Sequence, residues 1–397
     1  MERSNQSDCI ALTNGRVILP DRIEHGKALL VTGSTIRALI PQAQLPSTCQ
    51  CFDIQGAYIA PGLIDIHIHG AVGQSFNDPR EEAYSTIVKE NARRGITALL
   101  ATLATAPLPD LVATLTFCRE WCNTTHTGAQ ILGVHLEGPY FNPAFCGAQD
   151  PQALRRPDDG SAEALLAFHD VLRIMSYAPE LPGACELTTR LIELGIVPAA
   201  GHSDARDQDV WAVRDRGLKH VIHMWSAQSS VIKEGPWRKP GLLEATLASA
   251  DLTGEIIADN KHLPATLMQI ASRCLGPDRL CIVSDAISGA GLADGSYYTM
   301  GNMRYQVRNG VGMLLDGSAF AGSTTLLNEM LPILIDSVGI GVAEAVRMAS
   351  LTPARVIGVE QSKGSIAPGK DADIVIFDDR FQSLHTMIHG SWLDEYS

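Results

Sequence analysis

The sequence predicts an α/β fold: a (β/α)8 TIM-like barrel joined to a small β-sandwich domain formed by both chain termini. Three observations predict it. The middle of the chain alternates strand-length apolar runs with helical stretches eight times over, and eight parallel βα units close a barrel. Both ends instead show short strands separated by Asn14-Gly15, Gly26 and Gly33, with no segment long enough for a good helix. The histidines and acids of the middle part fall just after the apolar runs, at the rim where a barrel gathers its polar side chains.

Taken in order, residues 10–12, 16–19, 28–31, 35–39 and 51–54 read as strands of the terminal domain. After Gly364 the chain returns to that style, with one clear buried strand over 374–377. The expected division is residues 1–59 with 364–397 for the β domain and 60–363 for the barrel. Barrel strands are expected at 63–68, 96–102, 131–136, 172–177, 196–200, 219–223, 252–258 and 280–284. Helices are expected between them, among others at 81–94, 162–169, 186–194, 208–216, 242–248 and 265–274. An open doubly wound sheet is the competing topology, but no Gly-rich dinucleotide turn follows any strand.

The 397 residues suffice for a large core, and 45% hydrophobic with 19% charged residues is ordinary for a globular protein. A net charge of −13 argues against a nucleic-acid partner or an anionic membrane surface. No apolar run is long enough to span a bilayer, and the polar residues 1–8 do not read as a signal peptide. The nine cysteines form close pairs only at Cys49/Cys51 and Cys118/Cys122, so they read as reduced thiols in a cytoplasm.

The chemistry gathers around Ala60-Pro-Gly-Leu-Ile-Asp-Ile-His-Ile-His-Gly70. In a strand, positions i and i+2 share a side, so His67 and His69 face one way and can bind a transition metal. Core histidines satisfied by carbonyls are the plain alternative, which a spaced pair beside Asp65 argues against. The third strand ends in His135-Leu-Glu137-Gly-Pro, the fifth in Gly201-His202-Ser-Asp204 and the sixth in His223. The seventh leads to Asp259, Lys261 and His262, and the eighth ends in Asp285.

His67, His69, Glu137, His202 and His223 offer four neutral nitrogens and a carboxylate, a set suited to zinc or iron(II). Either one metal sits on Glu137, His202 and His223 with the His67/His69 pair as a second site, or two metals share Glu137. Asp285 is placed to take a proton from a metal-activated water and return it to a leaving amine. A helix N-cap ahead of Ala286 is the competing role for Asp285. His135 reads as a support for the ligands, and Thr102 and Thr105 as structural. Lys233, Arg238 and Lys239 form a basic cluster suited to an anion such as phosphate, or else a solvated loop. His25, His126, His169, His220, His385 and His389 have no such placement and read as ordinary.

With these residues in hand, the chain resembles the amidohydrolase superfamily, and within it the N-acetylglucosamine-6-phosphate deacetylases. The similarity runs through Pro61–Gly70, His135-Leu-Glu-Gly-Pro139, Ala178-Pro-Glu180, Gly201-His-Ser-Asp-Ala205, Ile257-Ala-Asp259 with His262, Ser284-Asp-Ala286, Ala321-Gly-Ser323 and Thr352-Pro-Ala354. The ending Gly364-Ser-Ile-Ala-Pro-Gly-Lys-Asp-Ala-Asp373 is shared by many amidohydrolases. The resemblance implies hydrolysis of the acetamide of N-acetylglucosamine 6-phosphate to glucosamine 6-phosphate and acetate. It implies Glu137, His202 and His223 as holders of the principal metal, Asp285 as general base, and one or two ions per subunit. It further implies that His262, with Arg238 reaching in from a neighbouring subunit, binds the sugar phosphate, hence a homodimer.

Two departures bear on the substrate. The family's Asn-Ala turn after strand six is Ser226-Ala227 here, and its Lys-Gly-Ala-His is Cys146-Gly-Ala-Gln149. Gln149 can donate a hydrogen bond but carries no charge. A different N-acyl amino sugar, phosphorylated or not, fits these changes. An N-acyl-amino acid or cyclic-amide hydrolase is a rival reading; the carbamylated lysine of many cyclic-amide enzymes has no counterpart at the end of strand four, Ser176-Tyr-Ala-Pro-Glu180. A non-catalytic scaffold is the third reading, and it would be expected to have lost its ligands.

Overall fold

The computed structural model describes residues 9–300 and 303–393. The polar residues 1–8, which bear on the signal-peptide reading, lie outside the described residues. Eight parallel strands form one sheet in sequence order: β1 (Leu63–Ile68), β2 (Ile96–Ala104), β3 (Gln130–Glu137), β4 (Leu172–Tyr177), β5 (Val197–Ala200), β6 (His220–Val221), β7 (Thr253–Ile257) and β8 (Leu280–Val283). The ends of this sheet meet through a parallel bridge between Ile68 and Ala286, and Asp285 N–H donates to the His67 carbonyl at 2.9 Å. The barrel is therefore closed, and the open-sheet alternative falls.

Strands buried on both faces read as near-continuous apolar runs. β2 shows this fully, with Ile96–Ala104 buried at every position. The helices bury one stripe against the barrel. In Glu81–Arg93 the stripe is Ala83, Tyr84, Ile87, Val88 and Asn91, with acids in the first turn and Arg93 in the last, as the helix dipole favours. A helix over Leu108–Cys122 adds to those expected.

The two chain ends pair as expected. Ile374–Phe377 runs antiparallel to Tyr58–Pro61 in a six-stranded sheet, and a four-stranded sheet built around Cys9–Thr13 faces it. Leu12, Val31 and Ile36 from one sheet meet Ile59, Ile374 and Met387 from the other in a shared apolar core. Gly62, which follows, has no room for a side chain: a Cβ there would sit 2.0 Å from the Thr97 hydroxyl.

Two features depart from expectation. Cys9 and Cys49 form a disulfide across 40 residues, which corrects the reading of all nine cysteines as free thiols. The pairing escapes a search for close spacing because parallel pairing of Cys9–Thr13 with Gln50–Asp53 creates the proximity. The second feature is a four-stranded antiparallel sheet after β8, formed by Tyr297–Met300, Met303–Arg308, Val311–Leu314 and Phe320–Ser323. It packs through Tyr298, Tyr305 and Val307 onto Ile287 and covers part of the barrel mouth. No helix among the described residues is long and apolar enough to cross a membrane.

Candidate metal centre

β3 delivers Glu137 to the centre of the carboxyl rim, where it is buried, and four imidazoles surround it. Glu137 Oε1 lies 3.0 Å from His223 Nε2, 3.1 Å from His202 Nε2 and 3.5 Å from His67 Nε2. Its other oxygen, Oε2, lies 3.3 Å from His69 Nε2. Asp285 Oδ1 closes the ring, 3.3 Å from His69 Nε2 and 3.6 Å from His67 Nε2. All five expected ligands and the expected base thus converge. Ligand atoms of His67, His69 and Asp285 lie within 4.8 Å of one another, as do those of His67, Glu137 and His223.

The backbone is bent to achieve this. His202, His223 and Asp285 have φ of 48°, 23° and 45°, in the left-handed region that costs a non-glycine residue about 1–3 kcal/mol. Surrounding bonds hold them there. Asp285 donates its N–H to His67, and its carbonyl accepts from Ser323 N–H at 2.8 Å. Gly322 permits that approach, because a Cβ on it would meet the Asp285 carbonyl oxygen at 2.8 Å. No helix follows Asp285 directly, so the N-cap alternative has no place.

Beneath the ring lies Glu255, a residue not anticipated. It accepts from His67 Nδ1 at 2.8 Å, from His220 Nε2 at 2.9 Å and from the His223 N–H at 3.1 Å. His220, read above as ordinary, is thereby part of the site's support. A glutamate inside the buried run Leu252-Thr-Gly-Glu-Ile-Ile-Ala258 was the signal available. His135 contacts the Ile66 carbonyl and Ser176 hydroxyl at 3.2 and 2.7 Å, and its ring packs on His67. Burial, then the neighbouring His67 charge, drives His135 well below the usual histidine range, so it stays neutral. Thr102 is structural as expected, its hydroxyl accepting from Ile68 N–H at 2.9 Å.

The electrostatics suit a cation. Burial opposes charge on His69, yet hydrogen bonds to Asp285 and Glu137 push it up to about 9. His67 is likewise raised, burial being outweighed by Glu255 and Glu137. For Glu137 burial raises the pKa, but the four surrounding imidazoles, His202 and His223 foremost, hold it well below the carboxylate range. A field that draws protons onto imidazoles equally favours a divalent ion. Buried His67 Nε2 lacks a hydrogen-bond partner, as do the ring nitrogens His69 Nδ1 and His223 Nδ1. Imidazole nitrogens with one carboxylate at their centre match the donor preference of zinc or iron(II), and the residues present fit such an ion.

A cleft of about 450 Å³ opens above the ring, within the ~300–1,000 Å³ usual for small-molecule sites. Gln149, Ser226, Ala227 and His262 line it, together with Phe320 and Ala321 of the inserted sheet. His262 is fixed through Nδ1 to Asp259 at 2.8 Å, and its buried Nε2 has no hydrogen-bond partner. Arg238 is not brought to this cleft by its own chain. It lies with Lys233 and Lys239 on an exposed hairpin, Ile232–Glu234 paired with Trp237–Lys239.

A closed barrel with imidazoles and carboxylates converging at its carboxyl rim defines the class of metal-assisted hydrolases. The Amidohydrolase family profile matches residues 58–393. An N-acetylgalactosamine-6-phosphate deacetylase of Escherichia coli O157:H7 is 32% identical over 333 residues, covering 84% of this chain and 86% of that protein. The crystal structure of N-acetylglucosamine-6-phosphate deacetylase from Pasteurella multocida superposes with a TM-score of 0.91 at 29% identity, covering 97% of this chain and 99% of that one. A mutant N-acetyl-D-glucosamine-6-phosphate deacetylase from Mycobacterium smegmatis, in complex with N-acetyl-D-glucosamine-6-phosphate, gives 0.90 at 26% identity, with 98% and 100% covered. The chain belongs to the amidohydrolase family and, being 31% identical over 369 residues to the N-acetylglucosamine-6-phosphate deacetylase of Haemophilus influenzae (92% of this chain, 94% of that protein), to the N-acetylglucosamine-6-phosphate deacetylase family within it.

Proposed function

We propose that this protein hydrolyses the acetamide of N-acetylglucosamine 6-phosphate to glucosamine 6-phosphate and acetate. The observation that carries the reading is the Glu137 carboxylate ringed by His67, His69, His202 and His223, with Asp285 against it, beneath the cleft. Glu137, His202 and His223 would hold the principal ion, and His67, His69 and Asp285 group closely enough to take a second. When bound, zinc or iron(II) supplies a Lewis acid for the amide carbonyl and lowers the pKa of water from about 16 to about 7.

The remaining work falls to the chain's own groups. Asp285 accepts the proton that water loses as its oxygen joins the acyl carbon. It then returns that proton to the sugar nitrogen as the C–N bond breaks, leaving acetate and a free amine. Interactions with His69, and the charges of His67, His69 and His223, outweigh burial and hold Asp285 below the usual aspartate range, so it starts as the base. His262, with Ser226 and Ala227, lines the cleft where the sugar phosphate would lie. Arg238, exposed and basic, would serve the cleft of a second copy in a homodimer, as the family resemblance implies. We place the reaction in the cytoplasm: seven of the nine cysteines are thiols, and the Cys9–Cys49 disulfide is the one group at odds with a reducing compartment.

The test is acetate release from N-acetylglucosamine 6-phosphate, from its unphosphorylated form and from N-acetylgalactosamine 6-phosphate, with zinc or iron(II) supplied. Strong preference for the phosphorylated glucosamine derivative supports the proposal. Preference for the galactosamine epimer would move the substrate to that of the Escherichia coli relative. Release from none by a metal-loaded protein would refute the reading.

A further inference from the structure

We infer that Gln149 is a positioning residue for the metal-binding carboxylate, and not primarily a contact for the sugar; the inference rests on Glu137 being a metal ligand, as proposed above. Gln149 occupies the place where the family resemblance implies a substrate-binding histidine, but its amide is committed at both ends. The side-chain carbonyl accepts the Thr105 N–H at 2.8 Å, which fixes which end of the amide faces the site. The nitrogen therefore points at Glu137 and donates to Oε2 at 2.5 Å. Gln149 is only 6% exposed, so little of it is left to meet a ligand.

The loop that carries Gln149 is tied down on both sides. Tyr305 of the inserted sheet donates its hydroxyl to the Ala148 carbonyl at 2.7 Å. The Phe145 carbonyl accepts from His202 Nδ1 at 3.0 Å, which leaves His202 Nε2 directed at Glu137. One loop thus orients two neighbouring ligands. With Oε2 held by Gln149, Oε1 is the oxygen turned toward His202 and His223. A carboxylate free to rotate about its last bond would have to be ordered each time an ion binds, and outer partners of this kind commonly carry part of metal affinity.

Zinc affinity, measured by competition with a fluorescent chelator on the full-length protein without substrate, tests the inference. Gln149→Met keeps the size and removes both hydrogen bonds; it should weaken zinc binding by about 10–100-fold. Gln149→His, which restores a donor, should recover most of that loss. At saturating zinc, Gln149→Met should lower kcat and leave KM near the parent value. Parent-like zinc affinity in Gln149→Met with a raised KM would overturn the inference, since it assigns Gln149 to the substrate. If Gln149→Met also lowers the melting point of the chelator-treated protein, Gln149→His decides: recovered zinc affinity supports positioning, and none overturns it. Failure of the parent to release acetate, with zinc affinity still dependent on Gln149, would refute the deacetylase reading alone.

Discussion

Glu255→Gln is the perturbation that most directly tests how the metal centre is built. The glutamate is completely buried and accepts three bonds, from the His67 and His220 rings and the His223 backbone. Burial raises its pKa, but the His67 charge and the bonds from His220 and His67 hold it well below the carboxylate range, so it is ionised. Glutamine preserves the shape. Its oxygen can still serve His67 and the His223 N–H, while its amide meets His220 Nε2 once that ring shifts its proton toward Thr253, 2.7 Å from Nδ1.

What disappears is the negative charge, and with it the charge-assisted part of three bonds, each about twice as strong as a neutral one. Loss of such an outer partner costs about 10–100-fold in metal affinity, or about 1.4–2.7 kcal/mol. Chelator competition and metal content after dialysis measure this directly. Glu255→Ala should be worse, since it strands buried donors at about 1–3 kcal/mol each, and should lower the melting point as well. Parent-like zinc affinity in Glu255→Gln would show that geometry alone orients His67 and that the Glu255 charge has no part in it.

Asp285→Asn should retain the zinc held by Glu137, His202 and His223 while kcat falls by about 10²–10⁴-fold, the usual worth of a positioned acid–base group; near-normal turnover with that zinc bound would remove Asp285 from the mechanism. Arg238→Ala should raise KM for the phosphorylated sugar and leave the unphosphorylated one unaffected, with sedimentation reporting whether the protein is a dimer. Glu244 accepts the Gly241 N–H at 2.9 Å and the Ser230 hydroxyl at 2.6 Å at the start of helix Leu242–Ala248. Burial opposes it, but these bonds hold its pKa below the ordinary 4.5. Its contribution is therefore present above pH 4.5 and lost as pH falls further. Glu244→Gln should cost about 0.5–1 kcal/mol at pH 7, discounted for its exposure, with the difference shrinking in acid urea melts.

The barrel was legible because its strands are buried on both faces and its helices on one, which writes apolar runs and helical stripes directly into the chain. The strand at residues 63–68 has the bounds expected from its sequence. The sixth, expected over 219–223, shortens to His220–Val221, because His223 takes a left-handed backbone that ends the strand. His67, His69, Glu137, His202, His223 and Asp285 stood out as reactive side chains at strand ends, where barrel topology forces convergence.

Other features became visible only once the chain was folded. Glu255 sits among apolar neighbours in sequence, and its importance comes from His67, 188 residues away. Cys9 meets Cys49 only through the pairing of two terminal strands. The inserted sheet is made of short strands such as Val311–Leu314, with polar residues and glycines between them, and it finds its core only against Ile287 and Ala104. Gln149 reads in the sequence as a replaced substrate contact, while the fold aims it at Glu137. The sequence by itself determined the barrel and its set of reactive groups, because periodic burial and strand-end placement are local properties. The tertiary structure alone decided which groups support which, because hydrogen-bond partners are set by closing the barrel and not by spacing along the chain.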